Sequence, residues 1–493
     1  MGHKGIIFGA YLAGVNQGYK QNVRLAYYYK KAVKQEKFYT HAGKRDIPLA
    51  IQACLKSDKI AFEQVNTSEY ALSAYQLDDL SIIDILPLVN NLDFGQLGNW
   101  LQKPENIEDF IKEVEQKLRP PLIANNLAQN SETGEILPVS ALGYRLFGQR
   151  FTLDSFIHTI LSSPRIGTPG KWHTMVKGLD VIGAFGNSQA QDLLKADMEG
   201  IPGYKNNFLK LIDLLNGFDS FEWRKTFYNG YLRLVNQIAT FEKGMGFYFT
   251  QKQKWDQKTL LTSHAGWAEL RHDTILYVKP SVGVAEGAGH PNIPTYDIDP
   301  VPCPISYVET NPGFFYWLQI LLEDSIWILT EGGFMNDNFR IKFQDFKHIV
   351  DNLTEIVEQE VKDSPISLEQ NEFILSIPAQ LARIVLPEVF PPTNVPRSES
   401  EYQMALIADV HTDASVNQVL EVGTGIPYRI YVALNDGQGG KRIAIGYTYS
   451  YYEFHQPMNN RLNDDEWKQK VYGETSSLDS YLPTWACDMI CHE

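Results

Sequence analysis

Glu269, Arg271, His272 and Asp273 stand inside a stretch, Leu261–Pro280, that is otherwise rich in Trp, Ala, Leu, Ile, Tyr and Val. Apolar residues fall on nearly every side of a helix drawn through Ser263–Val278, the pattern of an interior helix about 24 Å long. Ionisable groups on such a helix must pair with one another, with a partner elsewhere or with a metal, because an unpaired buried charge is strongly destabilising. Glu269 and His272 are three residues apart, so both side chains reach one point. Glu-x-x-His is also a spacing of carboxylate-bridged metal sites, which need a second copy; Asp345-x-x-His348 is the nearest here.

A second polar set lies on a β-rich run, Tyr402–Asp413. Met404, Leu406, Ala408 and Val410 are apolar, while the alternate positions pass to Asp409, His411 and Asp413, which should project together from one face. Two carboxylates and an imidazole suit a divalent cation. The expected centre is therefore metal-assisted and hydrolytic. Glu269, His272, Asp409, His411 and Asp413 are the candidate ligands, and Glu269, His272 and Asp273 the candidate catalytic groups, one carboxylate serving as general base on bound water. Glu453 and His455 join them if the β region folds beside the helix. Two blander readings stand beside this one: a polar network that only fixes helix against sheet, and a carbohydrate-binding surface built from some of the 26 tyrosines. The ligand classes these leave open are a small molecule, a peptide or a glycan.

The elements that must position these groups are mostly helical. Helical spacing covers most of 21–118, clearest in Leu77–Leu92 and Ile107–Leu118. It returns in Thr152–Leu161 with Thr152 as cap, Gln189–Met198, Phe221–Phe241, Pro312–Leu329, Phe343–Lys362 and Ser367–Val385. The last opens with a capping box of Ser367 and Gln370, and Pro378 should kink it. Asn125–Pro138 reads as a polar connection turning at Thr133-Gly134. Lys279–Pro304 is too rich in Pro and Gly for helix or central strand; carrying Glu286, His290, Asp297 and Asp299, it is expected to cover the helix site or to wrap structurally. After a linker at Phe390–Ser400, the runs 402–413, 418–423, 428–434 and 441–454 alternate as strands with short turns. The expected fold is α+β, predominantly α-helical, with a C-terminal antiparallel β meander packed on the helical core. Its divisions are 1–138 helical, 139–390 central helical, 398–457 β, and a tail 458–493.

The chain is long enough, at 493 residues, to bury a large core without staples. Its net charge of −15, in mixed order, argues against nucleic-acid and anionic-membrane partners. Cys54, Cys303, Cys487 and Cys491 are too sparse for a disulfide scaffold, and Cys487-x3-Cys491-His492 is half a metal site or incidental thiols. The apolar run Ile6–Val15 is too short to span a bilayer and lacks a convincing cleavage site, so it reads as core, and the chain as soluble. No HExxH helix, G-x-S-x-G elbow or Walker lysine occurs.

Several segments together resemble the family called domain of unknown function 3160. They are Ala141–Ser155 (ALGYRLFGQRFTLDS), Gly178–Val181, Trp267–Thr274 (WAELRHDT), Val308–Pro312 (VETNP), Ala408–Asp413, Leu420–Gly423 and Ser450–Phe454. The resemblance covers about Tyr70–Pro483. It implies an extracytoplasmic or cell-envelope protein, with this chain starting part-way through a longer N-terminal pattern; the residues alone leave a cytoplasmic location open. It implies no established activity, but it supports treating Trp267–Thr274 and Ala408–Asp413 as one functional unit.

Overall fold

The computed structural model describes residues 123, 127–129, 136–138, 151–162, 166–168, 171–240, 248–274, 306–331, 335–362, 364–385, 403–413, 415–435, 440–473 and 478–487. In chain order the helices are α1 (Leu153–Ile160), α2 (Gly178–Ala184), α3 (Ser188–Leu193), α4 (Lys195–Gly200), α5 (Tyr204–Asn216), α6 (Ser220–Arg224), α7 (Phe227–Ala239) and α8 (Gln253–Thr274), followed by α9 (Pro312–Glu331), α10 (Asp337–Val361), α11 (Leu368–Val385), α12 (Asp464–Tyr472) and α13 (Thr484–Cys487). The strands are β1 (Leu127–Gln129), β2 (Ile136–Pro138), β3 (Gly167–Thr168), β4 (Lys171–Trp172), β5 (Leu406–Asp413), β6 (Gln418–Thr424), β7 (Tyr428–Asn435), β8 (Lys441–Thr448) and β9 (Tyr452–Pro457). The expected helices of 21–118, the run Ile6–Val15, the loop Lys279–Pro304, the linker Phe390–Ser400, and Cys54, Cys303, Cys491 and His492 lie outside the described residues.

Among the described residues, one compact unit takes those up to His173 with Glu199–Gly230 and Asp324–Met335. In it β1 pairs antiparallel with β2, so the stretch expected as a connection, Asn125–Pro138, carries two short strands; Thr133-Gly134 lies outside the described residues. Thr152 stands at the N-cap of α1, but its hydroxyl donates to Ser155 Oγ at 2.8 Å rather than capping. The helix expected over Phe221–Phe241 is two, α6 and α7. The break falls at Thr226, whose Oγ1 accepts from Asn229 N and so offers the chain a fresh helix start.

The second unit takes Thr174–Met198, Tyr231–Glu323 and Asn336–Glu493. At its centre is α8, an interior helix as expected. Leu260, Leu261, His264, Ala265, Trp267, Ala268 and Leu270 are all buried, on several sides of the axis. One face of the sheet β5-β6-β9 packs against α8. The other face carries Ala405, Ile407, Tyr452 and Phe454 into a core with Trp467 and Val471 of α12 and Leu482. Trp467 has no exposed surface and donates from Nε1 to Thr424 O at 2.8 Å, so its polar edge is satisfied inside that core.

The antiparallel β region is present, with its strands in two ladders. β7 pairs with β8, and β6 pairs with β5 and β9. The run expected over 441–454 therefore divides at Tyr449–Tyr451, where the chain crosses from one ladder to the other and Ser450 Oγ accepts from Gly425 N at 2.8 Å. The inner face of β7–β8 packs Val432 and Leu434 on Phe249 and Trp255. α11 begins with the expected capping box: Ser367 N donates to Gln370 Oε1 at 2.8 Å, and Gln370 N to Ser367 Oγ at 3.1 Å. It continues through Pro378 to Val385 as one helix. Among the described residues no helix is long and apolar enough to cross a membrane.

Candidate functional site

The last turn of α8 presents Glu269, His272 and Asp273 to a partly open margin of the second unit. Glu269 is half-buried and hydrogen-bonded to the Tyr449 hydroxyl, with Tyr231 of α7 close enough to feel its charge. Burial, and then the charge of Asp273, push the Glu269 carboxyl up to about 7; the Tyr449 bond and His272 pull the other way. Burial and Glu269 raise Tyr449 to about 12, and the same causes raise Tyr231. Both phenols are therefore proton-bearing donors at neutral pH.

His272 lies between two carboxylates. Its Nδ1 is 3.0 Å from Asp273 Oδ1, and its Nε2 is 3.2 Å from Asp464 in the first turn of α12. Hydrogen bonds to Asp273 and Asp464 raise His272 to about 9 against the opposing effect of burial, so at neutral pH the ring is an imidazolium donating from both nitrogens. Asp464 also accepts from Ile407 N at 3.3 Å, which joins α8, α12 and β5 through one carboxylate.

The β5 residues are held elsewhere, by a local break in alternation. Asp409 pairs with Glu421, but His411 pairs with Leu420, so Val410 is the extra residue of a bulge. The expected common face is split. Asp409 takes Arg461 Nη1 at 2.7 Å, and Arg461 Nη2 reaches Thr412 Oγ1 at 3.1 Å. Beside it the carboxyl of Glu421 is fully buried, accepts from Leu462 N at 2.8 Å and is pushed up to about 8, chiefly by burial and then by Asp409. His411 turns to the other face, with Nε2 3.3 Å from Thr174 O, and burial lowers its pKa. Asp413 accepts from Ser415 N at 2.8 Å. From α8, Arg271 reaches β5, donating to Val410 O at 3.4 Å.

Glu453 comes near His264 of α8, one and a half turns before Glu269. It accepts from Tyr451 Oη at 2.6 Å and from Gly178 N, the first residue of α2, at 3.0 Å. His264 of α8 stacks near Tyr451 and Trp485, with ring centroids 5.0 and 4.8 Å away. Its Nδ1 is 2.8 Å from Leu260 O, and burial holds its pKa down to about 4, so the ring is neutral. Nothing but hydrogen fits on Gly178. A Cβ there would stand 2.7 Å from Glu453 Oε2 and 2.8 Å from His264 Cδ2, and closer still to the Tyr451 hydroxyl.

The structure thus brings Glu269, His272 and Asp273 together and places Asp409, His411 and Asp413 with other partners. His455 is exposed, His348 lies beside Asn352 within α10, and Cys487 is an exposed free thiol. Among the described residues no group of three or more His, Cys, Asp or Glu is placed to hold a metal ion. The residues that complete the helix-end cluster, Tyr231, Tyr449 and Asp464, carry no sequence signal of their own. Asp464 reads as first-turn acid of a capped helix, and the tyrosines are two among many. A family model described as "Protein of unknown function (DUF3160)" matches residues 48–486. No curated protein and no solved structure matches the chain.

Proposed function

We propose that this chain, which belongs to the DUF3160 family, is a hydrolase-type enzyme whose acid–base centre is the Glu269, His272, Tyr449 and Tyr231 cluster. The observation that carries the reading is an imidazole whose two nitrogens lie 3.0 and 3.2 Å from carboxylates, one helical turn from a half-buried carboxyl that interacts with a phenol. Glu269, titrating near neutrality, suits a general base that takes a proton from water as the water oxygen bonds to an acyl or phosphoryl centre. The fixed imidazolium of His272 and the phenol donors face the negative charge that then develops on the substrate oxygen. The leaving group departs with the proton returned by Glu269. Asp273 and Asp464 act through His272 and hold its charge and orientation.

Chromogenic acetyl-ester, phosphomonoester and glycoside probes test this, together with carboxyl-detected NMR titration of Glu269. Turnover by the wild-type protein, rising with the ionisation of Glu269 near pH 7 and lost in Glu269→Gln, is expected. No turnover of any probe, with Glu269 titrating in the ordinary carboxylate range, overturns it. A second reading is favoured by one bond, Ile407 N to Asp464, which makes the cluster a tether of helix to sheet. Under it, Asp464→Asn lowers stability and Glu269→Gln leaves every catalytic readout at background.

A further inference from the structure

Strand β8 is built inside out, opposite a β7 whose inner face is apolar in the ordinary way. On β8 the small residues Ala444 and Gly446 face inward, Gly446 opposite Ile430, while Ile443, Ile445 and Tyr447 face outward. A sheet with one solvated face ordinarily shows the reverse, apolar within and polar without. Moving β8 by one residue would bury its three large side chains, so burial within the hairpin alone does not explain this register. Across the ladder, Tyr431 pairs with Ile445 and Tyr447 with Arg429. Tyr431, Ile443, Ile445 and Tyr447 are 60, 69, 62 and 65 % exposed, whereas Val432 and Leu434 on the inner face are 6 and 2 % exposed. The outer four form one apolar patch on the order of a few hundred Å², a size that marks interaction surfaces.

Charge selects the occupant. Arg429, paired across the ladder with Tyr447, closes one end of the patch, and exposed Lys441 stands at the other; neither strand has an acidic residue. Six residues of strand separate the two rows, or about 20 Å. A second copy laid face to face would bring cations onto cations in either orientation. The patch also falls short of the roughly 800 Å² per partner of a standard interface. We propose that this face docks a protein segment with an apolar centre and carboxylates at both ends, about 20 Å apart. As a helix, that segment has about fourteen residues.

The probe is a synthetic fourteen-residue helix with an Ile/Leu face and two Glu at each end, alongside a twin with Lys in place of Glu. Titrated by fluorescence anisotropy against the full chain, the Glu-ended peptide is expected to bind, more weakly as salt rises, and the Lys-ended twin not to bind. Ile443→Ser/Ile445→Ser should weaken binding about tenfold or more, and Arg429→Glu should reverse the preference between peptides. The serine double variant should keep the wild-type melting temperature, since its side chains face outward. Equal binding of the twins, or no binding of the Glu-ended peptide, overturns the proposal. So does a large loss of stability in the double variant, which would mean the chain covers this face itself. Self-association abolished by the same variant, or soluble oligosaccharide shielding Tyr431 and Tyr447 instead, assigns the face to another occupant.

Discussion

Adding one methyl group at Gly178 tests the packing that joins α2, α8 and β9. Gly178→Ala would drive a Cβ into Glu453 Oε2, His264 Cδ2 and the Tyr451 hydroxyl, all within the second unit. None is the free end of a mobile side chain: Glu453 is fixed by two hydrogen bonds, Tyr451 has no exposed surface, and neither has His264. Overpacking of this kind costs about 1–3 kcal/mol. Displacing Glu453 from Gly178 N or Tyr451 leaves a buried donor unmade, at about 1–3 kcal/mol more. Alanine returns about 1 kcal/mol through its better helix propensity. The net is a loss of about 3 kcal/mol, read as a lowered urea midpoint with unchanged slope. Gly266→Ala is the control. It adds the same methyl on α8, where the nearest atom outside the helix is Val235 Cγ2 at an ordinary 3.8 Å, and it should stabilise by up to about 1 kcal/mol. If Gly178→Ala is as stable as the wild type, the reasoning from this junction fails.

Two further outcomes concern pH. His264 is held neutral, with its pKa lowered from 6.5 to about 4 by burial, so the unfolded chain binds its proton first. Stability from this group is complete above 6.5 and is lost as pH falls toward 4; urea midpoints over that range should decline less in His264→Phe than in the wild type. Glu421 has the opposite sign, because burial raises its pKa from 4.5 to about 8. Its contribution is complete below 4.5 and is lost as pH rises through 8. Glu421→Gln, which can still accept from Leu462 N, should flatten the stability profile between pH 4.5 and 8; an unchanged profile would refute the raised pKa of Glu421.

The interior character of α8 was legible in the sequence, because apolar residues surround Glu269 and His272 at every helical angle, and a helix so patterned has nowhere to go but inside. Ser367 and Gln370 announced their capping box for a similarly local reason. The pairing of Glu269, His272 and Asp273 also follows from spacing along one helix. What the spacing of β5 could not convey is the bulge at Val410. A strand's alternation is set by its partner's hydrogen bonds as well as by its own residues, and a single extra residue sent Asp409 and His411 to opposite faces. Tyr231, Tyr449 and Asp464 joined the helix end from 38 residues before to 192 residues after it in the chain. Residue order along α8 was enough to require its burial and to require partners for its charges. The tertiary structure alone decided who those partners are, because long-range pairing depends on how strands and helices register in space, and the local sequence carries no trace of that register.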